Sequence, residues 1–247
     1  MSFVSEFPQT LPDILARASE TCGNRGLIFV DENEQRFTWA EIEAQAQRVA
    51  AGFQNLDGEP GDRVTIVCQG LRSVVTSFFG AVLAGLHPSI LPTPINRHRL
   101  QGYLQHVVSI VRVAEPKFVV VDEEVELVGE PLVKEANLEN KALVIRHDEL
   151  IGSSSRFDPH APAPDEIAVI QFTSGSTSSP RGVVLPHRCV AANVQAIVER
   201  LEVEPHDVGG GWLPMYHDMG LIGNLLGAAA RSIDLVLTTP FNFLRRP

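Results

Sequence analysis

The sequence predicts an α/β protein of mostly parallel sheets flanked by helices, and three observations carry that prediction. Short apolar, β-branched runs recur along the chain, among them RVTIVC (63–68), KFVVVD (117–122) and IAVIQF (167–172). Between them lie stretches whose apolar residues repeat at helical spacing. Strands and helices that alternate in this way form βαβ units, in which a crossover helix returns the chain to a parallel strand.

Each element can be justified in turn. Leu11, Ile14, Leu15 and Ala18 share one helical face after Thr10, a suitable N-cap. GLIFVD (26–31) and QRFTW (35–39) flank three polar residues and read as a strand–turn–strand unit. Thr38 and Glu41 then form a T-x-x-E capping box that opens an amphipathic helix from Trp39 to Phe53. After the turn residues DGEPGD (57–62), RVTIVC reads as a strand buried on both faces. A helix from about Arg72 to Ala84, a short strand HPSIL (87–91), a helix around Arg97 to Val113 and the strand KFVVVD follow. The acidic DEEVE (122–126) reads as a solvated loop or helix start.

DPHAPAP (158–164) has no periodicity and reads as an exposed connector. Beyond it come the strand Ile167 to Phe172, a strand GVVL (182–185), helices from about Arg188 to Leu201 and Asp218 to Ala230, and a strand IDLVLT (233–238). The expected division is an α/β subdomain over 1–157, the connector, and a second α/β segment over 165–247 that is incomplete at its C-terminal end. A chain that stops on FNFLRRP directly after a strand reads as the front part of a longer protein.

Composition excludes several function classes. A formal net charge of −10 argues against a nucleic-acid partner, because neutralising phosphates over a broad surface needs clustered Lys and Arg. No apolar run approaches the length of a membrane span, and MSFVSEFPQT has neither the basic nor the apolar region of a signal peptide. Cys22, Cys68 and Cys189 are odd in number and far apart, which reads as reduced thiols in a cytoplasmic protein. No HExxH, EF-hand loop or Cys/His cluster marks a protein-held metal. His87, His98, His106, His147, His160 and His206 are scattered and read as surface or helix-end residues.

Two stretches carry candidate chemistry. FTSGSTSSPRGVVLPH (172–187) puts six hydroxyls, a glycine and Arg181 between two strand-like runs. Consecutive backbone N–H groups in such a loop can hold an anion, and Arg181 supplies a permanent cation with forked donors. It is neither a Walker A loop nor a GxSxG elbow, and by composition alone it reads first as a flexible turn. GGGWLPMYHDMGLIG (209–223) places His217 beside Asp218 at a helix start, which is either simple capping or a histidine facing an anionic group in an apolar pocket.

Together, TSGSTSSPRGVVLPH and WLPMYHDMGLIG (212–223) resemble the motifs of the adenylate-forming superfamily. The second motif, with LTTPFNFLRRP (237–247), is more like its fatty acyl-AMP ligase branch than like the acyl-CoA synthetases. FTWAEIEAQAQRVAAGF (37–53) and GDRVTIV (61–67) resemble the family's early helix and first core strand, so the resemblance covers most of the chain. It implies the N-terminal portion of that fold. It also implies that a fatty acid carboxylate attacks the α-phosphate of ATP, giving acyl-adenylate and pyrophosphate. The acyl group then passes to the phosphopantetheine thiol of an acyl carrier protein, in polyketide or lipopeptide biosynthesis.

By motif position, the resemblance implies that Thr173, Ser174, Gly175, Ser176 and Thr177 wrap the β- and γ-phosphates, with Arg181 where the family often has Lys. It makes His217 the catalytic residue at the forming acyl-phosphate and puts Met215, Met219 and Gly220 on the acyl tunnel. Mg is expected to arrive with ATP, and the resemblance assigns no residue of this segment to it, Thr177 being the single candidate. The family's adenine- and ribose-binding motifs and its catalytic Lys lie further along, so these 247 residues alone are expected to adenylate little or nothing. An acyl-CoA synthetase and a non-catalytic module that binds an acyl chain or nucleotide are the two other readings.

Overall fold

A computed structural model of the chain describes residues 7–21, 23–93, 100–173 and 180–245. The expected α/β architecture is present as two four-stranded sheets and a hairpin. One sheet, in the order β4-β3-β5-β6, consists of β3 (Arg63–Val67), β4 (His87–Ile90), β5 (Phe118–Val121) and β6 (Leu143–Arg146), all parallel. Its central strands β3 and β5 are buried on both faces from Val64 and Phe118 onward, as their unbroken apolar runs require. Helices α3 (Leu71–Leu83), α4 (Leu100–Ala114), α5 (Glu126–Glu135) and α6 (His147–Ile151) lie in the connections of this sheet and after its last strand.

The other sheet, β2-β1-β10-β9, draws on both ends of the chain. β1 (Gly26–Phe29) pairs antiparallel with β2 (Gln35–Thr38) and parallel with β10 (Asp234–Leu237), which pairs parallel with β9 (Val208–Gly211). The connector 158–164 therefore joins segments that share one sheet. Trp39, fully buried at the head of α2 (Trp39–Asn55), strengthens the junction by donating its indole N–H to the carbonyl of Ile233 at 3.0 Å. The capping box at Thr38 is formed in both directions, so α2 starts where the sequence places it. Helix α1 (Leu11–Thr21) buries the predicted Leu11, Ile14, Leu15 and Ala18. Among the described residues, no helix is long and apolar enough to cross a membrane.

Three expectations need correction. His147 does open a helix, but it is buried, because its ring fills the space beside α3 and reaches Thr76 Oγ1 at 2.8 Å through Nε2. Asp122 is likewise buried rather than solvated; its Oδ2 accepts the backbone N–H groups of Gln69 (2.7 Å) and Gly70 (2.8 Å) at the head of α3. The helix from Asp218 to Ala230 is not one regular α-helix. Met219–Leu226 is π-helical, with one extra residue per turn, and only Gly227–Arg231 (α8) is α-helical. His98 lies outside the described residues, as does the side chain of His106.

Candidate functional site

The site is built on a β-hairpin and the helix that follows it. β7 (Ile167–Thr173) and β8 (Arg181–Pro186) pair antiparallel, and their last pair is Thr173 opposite Arg181. Both are exposed, and among the described residues the Arg181 guanidinium has no hydrogen-bond or ion-pair partner. The hairpin mouth thus presents a hydroxyl and a cation side by side. Ser174, Gly175, Ser176 and Thr177 lie outside the described residues.

β8 runs directly into α7 (His187–Arg200), which packs against the π-helix. The hairpin, α7 and the turn carrying Tyr216 and His217 line a half-open cavity of about 560 Å³. Its apolar wall includes Phe172, Val183, Leu185, Val190 and Ile222, while Thr173, Asn193, His217 and Asp218 supply polar groups. Val183 and Leu185 face it together because alternate strand residues share a side, and Cys189 and Asn193 because they are four apart on a helix. Burial raises the Tyr216 phenol above its ordinary range.

The two sequence motifs therefore meet, since Thr173 and His217 line the same cavity. Gln171 links them by donating its amide to the carbonyl of Tyr216 at 3.5 Å. The imidazole of His217 is exposed and lies against the Tyr216 ring with centroids 4.7 Å apart. Its backbone N–H donates to Pro214 and its carbonyl accepts from Leu221, so a turn holds it at the mouth of the π-helix. Asp218 caps locally, its Oδ1 accepting the Met219 N–H at 2.8 Å.

The residues expected to line an acyl tunnel are placed differently from one another. Met215 is buried in the core, Met219 is 65% exposed, and Gly220 is buried against the carbonyls of Leu213 and Pro214. None of the three lines this cavity. The residues that do line it, on β8 and α7, were visible in the sequence only as ordinary strand and helix periodicity. Nothing in that periodicity says which face is covered by core and which by ligand.

The conserved-family model for "AMP-binding enzyme" matches residues 15–247. The chain belongs to the AMP-binding enzyme family. Among its relatives is the long-chain-fatty-acid–AMP ligase FadD32 of Mycolicibacterium smegmatis, 32% identical over 227 residues that cover 89% of this chain and 35% of that protein. Another is a 4-hydroxyphenylalkanoate adenylyltransferase of Mycobacterium marinum, 33% identical over 96% of this chain and 40% of its own length. Among solved structures, one of the fatty acyl-adenylate ligases from E. coli and L. pneumophila superposes with a TM-score of 0.86 at 30% identity, covering 96% of this chain and 43% of that one. A fatty acyl-adenylate ligase from L. pneumophila in complex with acyl adenylate and pyrophosphate superposes with a TM-score of 0.87 at 26% identity, covering all of this chain and 43% of that one. This AMP-binding chain thus spans less than half the length of each of these four proteins.

Proposed function

We propose that this chain supplies the phosphate-loop and acyl-pocket part of an enzyme that activates a fatty acid with ATP and passes the acyl group to the phosphopantetheine thiol of an acyl carrier protein. The observation that carries this reading is a single cavity with the hairpin of the phosphate loop on one wall and His217 on another. The names of the relatives support a fatty acid as the substrate.

Each group has a chemical role in this reading. Phe172, Val183, Leu185, Val190 and Ile222 give an alkyl chain an apolar wall, where burial of each methylene is worth about 0.8 kcal/mol. The hydroxyl of Thr173 and the exposed guanidinium of Arg181 match the oxygen-rich, anionic tail of ATP. The resemblance assigns Ser174, Gly175, Ser176 and Thr177 to the same triphosphate. When the carboxylate oxygen attacks the α-phosphorus, the bond to the bridging oxygen breaks and pyrophosphate leaves. His217 offers an N–H to the charge that builds on the oxygens at that centre, a role that depends on position rather than covalent chemistry. Gly220 contributes by letting the Leu213 and Pro214 carbonyls close in beside His217 at the start of the π-helix.

Among the described residues, no three His, Cys, Asp or Glu side chains converge to hold a metal ion, so no step is assigned to a protein-held ion. Mg is read as entering on the triphosphate.

The test supplies the full-length form with a mixed fatty-acid pool, ATP and Mg, with either a holo acyl carrier protein or CoA as acceptor, and follows products by mass spectrometry. Acyl-adenylate and acylated carrier protein are expected. Acyl-CoA as the main product would move the protein to the CoA-dependent branch, and no acyl-adenylate from any acid would sink the reading. The 247 residues alone are expected to give little or no acyl-adenylate.

A further inference from the structure

We infer that His160 and Glu166 form a clasp that fixes the first turn of α7, and with it the α7 wall of the cavity, which makes Glu166 a positioning residue. The starting point is a helix that lacks its own cap. The residue before α7 is Pro186, whose side chain can accept nothing, so the first N–H groups of the helix need acceptors from elsewhere. Those acceptors are backbone carbonyls of the connector and its exit. The His187 N–H donates to Glu166 O (3.0 Å) and the Arg188 N–H to Pro164 O (2.8 Å), while the Arg188 side chain pairs with Asp165. Where the connector sits therefore decides where α7 begins.

The connector, in turn, is held by side chains. Glu166 uses both carboxylate oxygens: Oε1 accepts the Ala163 N–H at 2.7 Å and Oε2 pairs with His160 Nε2 at 2.9 Å. The His160 backbone N–H donates to Leu83 O, and its ring lies over Gly85, where a Cβ would stand 2.6 Å from the imidazole Cδ2 and φ is +74°. At the far end, Gln54 exchanges two hydrogen bonds with the backbone of Asp158, at 2.7 and 3.0 Å. The sequence reads 158–164 as an exposed connector, and most of it is exposed; the structure adds that it is tied at both ends like a strap.

The strap bears on the cavity because α7 carries Cys189, Val190 and Asn193 into it, only one to six residues beyond the capped amides. The first turn is pinned from the other side as well. His187 is buried, and its Nδ1 accepts the Leu11 N–H at 3.2 Å, which leaves little room for compensating movement. The catalytic weight of the clasp rests on the reading of this cavity as the acid-binding site. The geometric claim does not, and its test needs no activity.

That test is amide hydrogen exchange at neutral pH on the 247-residue chain and its variants. Glu166→Ala is expected to speed exchange at His187 and Arg188 at least ten-fold while the amides of α2 keep their protection. Glu166→Gln, whose amide can still serve Ala163 and His160, is expected to retain most of the wild-type protection. Unchanged protection at 187–188 in Glu166→Ala, or loss there only in parallel with α2, would overturn the clasp. If Glu166→Ala does not fold, Ala163→Pro replaces it and is judged by the same two outcomes. It deletes the N–H given to Glu166 without changing charge, at a position already held extended by the proline that follows. If the clasp holds and the acid-site reading is right, the same variants of the active full-length form raise KM for the acid more than they lower kcat. An unmoved KM alongside altered exchange would leave the clasp standing and remove its role in catalysis.

Discussion

A Cβ placed on Gly220 would stand 2.2 Å from the carbonyl oxygen of Pro214. The Leu213 carbonyl would be only 2.7 Å away, so two backbone groups close off the space and neither can rotate aside. Gly220→Ala is expected to lower stability by about 1–3 kcal/mol, the usual cost of forcing a methyl into filled space. Gly223, three residues along the same π-helix, has nothing within 4 Å of its Cβ position, and Gly223→Ala is expected to be close to neutral. Urea denaturation of the two variants checks the contrast. Equal midpoints would show that the turn before His217 is not packed as described.

Asp122 should make the fold less stable as pH rises. Burial lifts its pKa to about 6, opposed by the amides of Gly70 and Gln69 and reinforced by the charge of Glu124, while Oδ1 has no hydrogen-bond partner among the described residues. Because the folded value lies above the unfolded one, its contribution is full below pH 4 and lost as pH rises through 6. The loss is at most about 3 kcal/mol. Asp122→Asn keeps an acceptor for both amides and removes the charge, so it is expected to be more stable than wild type at pH 7.5 and no more stable at pH 4. Denaturation midpoints across that range would expose a wrong sign.

His147 and His187 act in the opposite direction. Burial lowers both to about 4, with Arg72 adding to the effect at His147 and Glu166 opposing it at His187. Their folded values lie below the unfolded one, so their contribution is present above pH 6.5 and lost as pH falls from 6.5 toward 4. His147→Asn, which can still meet the hydroxyl of Thr76, is expected to flatten the acid side of the stability curve even if it lowers the plateau. A curve as steep as that of the wild type between pH 6.5 and 4 would rule out His147 as a source.

His217 and Arg181 are both exposed and contribute little to packing. In the full-length form, His217→Ala is expected to lower kcat for acyl-adenylate formation by about 10²-fold, the scale of losing one oriented donor, with an unchanged melting temperature. Arg181→Ala is expected to raise KM for ATP, and Arg181→Lys to restore much of it, because charge matters more than fork geometry for a phosphate tail. Pyrophosphate-release kinetics measure all three. Full activity in His217→Ala would remove the proposed role.

The sequence alone determined the α/β class, the strand and helix order around β3 and β5, and the capping box at Thr38, because each rests on local periodicity or on side chains three residues apart. The motifs around Thr173 and Arg181 and around His217 could be located in the sequence, but their residue types alone also fit a flexible turn and a helix cap, and it is the resemblance of the two together that points to a site. Other features depended on contacts distant in sequence. The pairing of β1 with β10 sets residues roughly two hundred apart side by side, and nothing in either strand names its partner. The strand character of Val208–Gly211, three of whose four residues are glycine, comes from pairing with β10 against local propensity. Asp122 and His147 looked like surface residues because polarity is visible in a sequence, whereas the backbone amides and the threonine that make their burial tolerable are supplied by other elements. The same holds for DPHAPAP: its composition reads as an exposed connector, and only the fold brings Gln54 and Gly85 to it. Tertiary structure decided these points because hydrogen bonds and packing between distant residues leave no periodic trace along the chain.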